Sequence, residues 1–348
     1  MCETLAALDH EGAPPLLKIR LPLPHRLDCF LKLWIFKFLV FIVFAVDRLL
    51  HPAPPSLRPT LIKRYPCRPA LHTRVFYPPV YKSGALLPLY LNIHGGGFAL
   101  CDPQHDDEFC VMWAKRTGML VVSLDYSKAP LHPFPVAVFD VGALAGAVIA
   151  DASLPIDKTR VSMGGFSAGG NLALCASQLA GLKGTIKAAL TFYPIVDWSH
   201  TQQEKLDGRP YTDGPKDSLE ASSYWFDWAY VSSGQNRRDP LLSPCYARGE
   251  DLPPWIYVIG AEWDMLRLES QEMIHNLAGL GTKNNDEDFE QGRYKWTLAR
   301  GCSHGFTHHF GQKPENKRKR MEKCEPIYEQ ASAWLAKALE SRTPSACR

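Results

Sequence analysis

The residue best placed for covalent chemistry is Ser167, set in Gly165-Phe166-Ser167-Ala168-Gly169. An apolar run ends just before it at Met163, and an alanine-rich run from Ala168 to Leu179 follows. That spacing predicts a strand, a tight turn and a helix. A serine on such a turn stands above the sheet edge, near the positive end of the helix behind it. The flanking glycines let the backbone crowd its neighbours. About 70 residues earlier, His94-Gly95-Gly96-Gly97 follows a second apolar run, Leu89 to Ile93. Acyl transfer puts negative charge on a carbonyl oxygen, and preorganised N–H groups stabilise it by ~3 kcal/mol each. The expected donors are Gly96, Gly97 and, beside the serine, Ala168.

A hydroxyl is a poor nucleophile without a base. His304 fits that role: it follows the apolar run Tyr294 to Leu298 and lies between Gly301 and Gly305. His308 and His309 stand further along, in or before a helix. The acid that orients the imidazole should follow the preceding strand. Asp264 comes just after Trp255 to Gly260, with Glu262 and Glu269 as alternatives. The resulting order is Ser, Asp, His. Phe98, Phe166 and Trp225 are expected to shape an apolar acyl pocket. This chemistry requires no metal and no organic cofactor.

These residues need strands to carry them. Short apolar runs fall at Thr73 to Tyr77, Leu89 to Ile93, Met119 to Leu124, Arg160 to Met163, Lys187 to Phe192, Trp255 to Ile259 and Tyr294 to Leu298. Helix-like stretches, such as Leu266 to Leu280, lie between several of them. Strands alternating with helices predict an α/β fold with a mostly parallel central sheet flanked by helices. Strands apolar throughout, such as Leu120 to Leu124, belong in a sheet covered on both faces. Tyr328 to Leu339 places Ala331, Trp334, Leu335 and Ala338 at helical spacing, as a terminal helix packed on the sheet. From Asp197 to Asn236 the alternation breaks into a polar and then an aromatic stretch, Tyr224 to Tyr230. This stretch is expected to be an inserted helical cap, with a further core helix as the alternative.

Five segments together resemble the hormone-sensitive lipase family of α/β-hydrolases, which includes bacterial esterases and arylacetamide deacetylases. They are His94 to Phe98, Asp125 to Pro135 (DYSKAPLHPFP), Gly165 to Asn171, Glu262 to Ser270 and Ser303 to Phe306. The resemblance implies the α/β-hydrolase fold with a helical cap and hydrolysis of short- to medium-chain carboxylic esters. It places Ser167, Asp264 and His304 in the triad and Gly96, Gly97 and Ala168 in the oxyanion hole. It leaves open a deacetylase, an acyltransferase or a non-catalytic ligand-binding relative. Two segments depart from the family pattern. Phe166 stands where many members have an acidic residue, and Ser127 to Leu131 replace Arg-Leu-Ala-Pro-Glu. Both bear on specificity rather than on reaction class.

A net charge of +3 is too small to argue for a nucleic-acid partner, and the basic run Lys317 to Arg320 reads as the solvated start of the last helix. Ten cysteines contain no C-x-x-C pair, so neither a zinc site nor a redox motif is expected. The first 26 residues carry no apolar core and no Asn-x-Ser/Thr sequon occurs, so secretion is not expected. Residues 30–46, FLKLWIFKFLVFIVFAV, have a mean hydropathy of roughly 2, in the membrane-helix range. They are expected to associate with a membrane, at the endoplasmic reticulum for instance, by spanning it or lying in its surface; the alternative is a cap helix in a cytoplasmic protein. Prolines from Pro52 to Pro69 mark a stiff connector. The expected organisation is an N-terminal helix and connector over 1–70 and a catalytic domain over 71–348, with its cap insertion at about 197–236. Oligomeric state is not legible.

Overall fold

The computed structural model describes residues 14–209, 211, 214–281, 287–308 and 314–341. Nine strands form one sheet: β1 (Leu61–Lys63), β2 (Thr73–Phe76), β3 (Leu87–Ile93), β4 (Leu120–Leu124), β5 (Ile156–Phe166), β6 (Ile186–Phe192), β7 (Trp255–Trp263), β8 (Phe289–Gln291) and β9 (Tyr294–Ser303). Their spatial order is β1-β2-β4-β3-β5-β6-β7-β9-β8. The inner strands β4, β3, β5, β6, β7 and β9 run parallel. Only β1, β2 and β8 pair antiparallel. This is the mostly parallel α/β sheet that the alternation of runs predicts, and it agrees with the α/β-hydrolase fold that the resemblance implies. All seven expected strands are present; β1 and β8 are additions, each three residues long and too short to leave a periodic signal.

Eight α-helices are described: α1 (Leu23–Leu50), α2 (Asp107–Thr117), α3 (Val136–Ala150), α4 (Ala168–Ala176), α5 (Gln202–Asp207), α6 (Ser223–Tyr230), α7 (Arg267–Leu277) and α8 (Pro314–Glu340). One core cluster joins α3 and α4 to strands such as β4, whose residues are all buried. A second joins α2 and α8 to β6 and β7 through Trp113, Phe192 and Tyr328. The sheet is thus covered on both faces, which explains its apolar strands. The basic run at the start of α8 is only partly solvated. Arg320 is nearly buried and donates to the Thr307 carbonyl at 3.0 Å, fixing the loop behind His304.

The parallel register sets up the site. Strands β3, β5, β7 and β9 all end on the same sheet edge. His94, Ser167, Asp264 and His304 are, respectively, the first residues beyond them. Along this edge lie α1 and α6, packed on each other through Phe30 against Trp228 and Phe36 against Trp225.

Candidate active site

The turn after β5 is held by exclusion. Ser167 has φ 52° and ψ −116°, a strained conformation for a residue with a side chain. A Cβ on Gly165 or Gly169 would strike the Ile93 carbonyl at the end of β3. Only glycine therefore lets β5 and α4 close on β3, and that closeness lifts the Ser167 hydroxyl over the sheet edge. Ser167 Oγ lies 2.9 Å from His304 Nε2, and His304 Nδ1 lies 2.7 Å from Asp264 Oδ2. The hydroxyl donates to Nε2 and Nδ1–H donates to the carboxylate. Asp264 is buried, and its other oxygen accepts the Leu266 amide at 2.9 Å. Tyr193 turns its ring edge to the imidazole at 4.9 Å.

The electrostatics favour imidazolium. Burial alone would lower the His304 pKa. The Asp264 charge and hydrogen bond, with a further contribution from Asp217, outweigh it and hold the pKa above the usual 6.5. Asp217 lies between α5 and α6, buried, and accepts the Met265 amide at 2.6 Å and the Leu219 amide at 2.8 Å. Burial pushes its carboxyl up, and the Asp264 charge adds to that.

The glycine loop lies beside the serine. Gly96 and Gly97 have φ of 111° and 58°. A Cβ on Gly97 would come within 2.7 Å of the Phe226 ring, and one on Gly96 within 2.5 Å of the Leu100 carbonyl oxygen. His94 is buried and stacks on Tyr126 at 4.4 Å, and the Tyr126 hydroxyl donates to the His94 and Gly95 carbonyls at 3.2 Å. Burial and then the Lys128 charge hold the His94 imidazole below its usual pKa. Lys128 bonds Asp125 at 2.8 Å, so the DYSK segment buttresses this loop from behind. Ala168 is the first residue of α4, where helix amides lack intrahelical acceptors.

The alternative residues take other partners, although His308 also lines the cavity over Ser167. Glu262 accepts the Gly301 amide. Glu269 accepts the Val196 amide at 2.8 Å and pairs with Lys205; burial pushes its carboxyl up to about 7. His308 Nε2 lies 3.0 Å from Asp106 Oδ1. His309 falls outside the described residues. Above Ser167 and His304 is a cavity of about 810 Å³ with a mainly apolar lining. Phe98 and Phe166 line it, the first stacked on Tyr230 at 3.8 Å and the second on Phe192 at 4.9 Å. Trp225 does not: it turns outward onto Phe36 of α1, and its neighbour Phe226 faces the cavity instead. The helix repeat decides this, since a step of one residue rotates a side chain by about 100°.

A family model described as alpha/beta hydrolase fold matches residues 90–298, more than half of the chain. The chain belongs to the alpha/beta hydrolase fold family. Within the family it is 31% identical over 236 residues to the esterase LipI of Mycobacterium tuberculosis, covering 66% of this chain and 72% of that one. It is 31% identical over 224 residues to the carboxylesterase NlhH of the same organism, covering 62% and 69%. Among solved structures it resembles the thermostable carboxylesterase EstE1 from a metagenomic library, with a TM-score of 0.69 and 26% identity over 87% of this chain and 97% of that one. The hyperthermophilic esterase of Pyrobaculum calidifontis gives a TM-score of 0.67 at 26% identity over 92% and 100%.

Sequence reasoning missed three residues of this alpha/beta hydrolase site. Asp217 carries no motif and sits in a polar stretch of the insertion. Phe226 is one step from Trp225, and the sequence does not separate the two rings. Lys37, the more central of the two lysines that interrupt the apolar run, donates to the Ala99 carbonyl at 2.7 Å and the Ala129 carbonyl at 3.0 Å. A lysine within an otherwise apolar helix was the signal for it, because a charge there needs a partner.

Proposed function

We propose that this chain is a carboxylic ester hydrolase that works through an acyl-enzyme, with Ser167 as nucleophile, His304 as general base and acid, and Asp264 as the group that fixes the imidazole. The observation that carries the reading is the unbroken row from Asp264 through His304 to Ser167, with contacts of 2.7 and 2.9 Å, at the floor of an apolar cavity. Ser167 attacks the ester carbonyl as His304 Nε2 takes its proton. Asp264 holds the tautomer and stabilises the imidazolium. The oxyanion is received by the amides of Gly96, Gly97 and Ala168. His304 then protonates the departing alcohol, and water repeats the sequence on the acyl group. The names of the relatives, esterase and carboxylesterase, point the same way.

The acyl chain would lie among Phe98, Phe166 and Phe226, which favours an apolar acyl group over a charged one. Helix α6 and the N-terminal helix α1 would serve as the cap that screens the reaction from water. The test is hydrolysis of p-nitrophenyl esters together with labelling by a fluorophosphonate. Ser167→Ala should lower kcat about 10⁴-fold or more and abolish labelling. Equal rates in wild type and variant would refute the reading.

A further inference from the structure

Helix α1 is inside out for a protein in water. Its outward stripe, read at helical spacing, is Leu27, Leu31, Ile35, Phe38, Ile42 and Leu49, all exposed, with Phe38 at 63% and Leu49 at 80%. Its lysines and Arg48 lie on the flanks or on the inner face and take protein partners, Lys32 and Arg48 while still nearly half exposed. Lys32 bonds Asp28 and the Tyr224 hydroxyl, at 2.8 and 3.1 Å. Lys37 bonds the Ala99 and Ala129 carbonyls, and Arg48 pairs with Asp102 at 3.1 Å. A surface helix of a soluble protein has the reverse arrangement, with its charges in water. An unbroken apolar stripe of this length marks a surface that something covers.

We propose that the outer face of α1 docks into the surface of a lipid bilayer containing anionic lipid, with the helix lying along the membrane and the active-site cavity opening beside it. Three observations choose this occupant and this orientation. First, a spanning helix would have to give up the inner face: Cys29 and Leu33 are buried, and mid-helix Lys37 is tied to two carbonyls of the catalytic domain. A half-sunk helix keeps all of these contacts. Second, exposed Arg20 precedes the helix in the chain and exposed Arg58 and Arg64 follow it, cations suited to anionic headgroups. Third, Leu39 and Val43 line the cavity and are at the same time exposed, so the rim of the cavity reaches the face that would meet lipid. Resting on the hydrolase reading, the substrate would be an ester dissolved in the membrane, entering past Leu39 and Val43 without crossing water.

The experiment is flotation of the full chain on a density gradient with vesicles of phosphatidylcholine, with and without phosphatidylserine. Wild type should float, more so with phosphatidylserine. Ile35→Glu/Phe38→Glu/Ile42→Glu, whose positions do not line the cavity, should partition about tenfold less or weaker still. Against p-nitrophenyl acetate in buffer the variant should match wild type, while against a long-chain ester presented in vesicles it should fall. Phe38→Glu alone, with a smaller loss of flotation, serves should the triple variant fail to fold. Wild type that stays at the bottom of the gradient overturns the proposal, as does equal flotation of wild type and variants. A soluble dimer that the substitutions dissociate, with no flotation, would assign the stripe to a second copy instead. Flotation does not depend on catalysis, so an inactive protein that floats would fail the hydrolase reading alone.

Discussion

The floor and the roof of the cavity are built on different physical principles. The floor, where β3, β5, β7 and β9 end, is fixed by backbone. Parallel register aligns the strand ends, and the places where a Cβ would collide dictate glycine at 165 and 169. The roof, α1 over α6, is fixed by side chains: ring contacts at 5.8 and 6.4 Å, and Lys37 reaching down to two carbonyls. A floor held by excluded volume tolerates almost no change and keeps atoms within tenths of an ångström of their task. A roof held by a few adaptable contacts can vary in shape, which suits the part that meets the substrate's variable end.

The largest effect that would test this contrast is at Gly169. Its Cβ would be driven into the Ile93 carbonyl and approach the His94 carbonyl oxygen within 2.6 Å, meeting backbone with no flexible side chain to yield. Gly169→Ala should cost about 3 kcal/mol or more and lower the urea midpoint sharply, with activity lost as the glycine loop is pushed from the serine. Gly146 in α3 is the control, because a Cβ there meets nothing within 4 Å. Gly146→Ala should raise stability by about 0.5–1 kcal/mol. Similar midpoints for the two variants would show that the floor is not held by exclusion.

In the roof the expected effects are smaller and fall on specificity. Phe226 covers Gly97 and faces the cavity, so Phe226→Ala should open space above the glycine loop. The ratio of kcat/KM for an octanoyl over an acetyl p-nitrophenyl ester should rise about tenfold. Trp225→Ala, one residue away and turned onto α1, should leave that ratio unchanged. A shift caused by Trp225 and not by Phe226 would reverse the assignment of the two rings.

The same contrast explains what could be read from the sequence. Floor residues were legible because backbone constraints write short, local patterns: a glycine on each side of Ser167, three glycines after a strand, a lone histidine between glycines. Every strand but the three-residue β1 and β8 is marked by an apolar run, and the chain order places Asp264 before His304. The roof wrote no such patterns. Trp225 and Phe226 are both aromatic, and only the rotation of α6, set by long-range packing, decides which one enters the cavity. The apolar run of α1 reads equally as a span, a surface helix or a cap, because its hydropathy does not record that Lys37 is paired with carbonyls more than 60 positions away. Asp217 was invisible for a similar reason: its effect on the site is electrostatic and reaches across from the insertion.

Asp217 offers the finest test, since it is a roof residue that reaches the chemistry of the floor by charge. In the proposed mechanism His304 must be neutral at Nε2 to take the Ser167 proton, so activity should fall as the pH drops through its pKa. That pKa is raised, so the acid limb of kcat/KM should lie above pH 6.5. Asp217 is one of the charges that raise it; burial and then the Asp264 charge push its own carboxyl up, and the two amides it accepts oppose that rise. Asp217→Asn keeps an oxygen to accept an amide and removes the charge. Imidazolium then loses part of its stabilisation, and the acid limb should move to lower pH, with the rate on the neutral plateau changed only a few-fold. A limb that stays in place while the plateau falls would give Asp217 a purely structural task, holding the Asp264 turn through the Met265 amide. A limb that moves upward would mean that removing the charge had disturbed the Asp264–His304 contact in the opposite electrostatic sense, and the proposed coupling between roof and floor would be wrong.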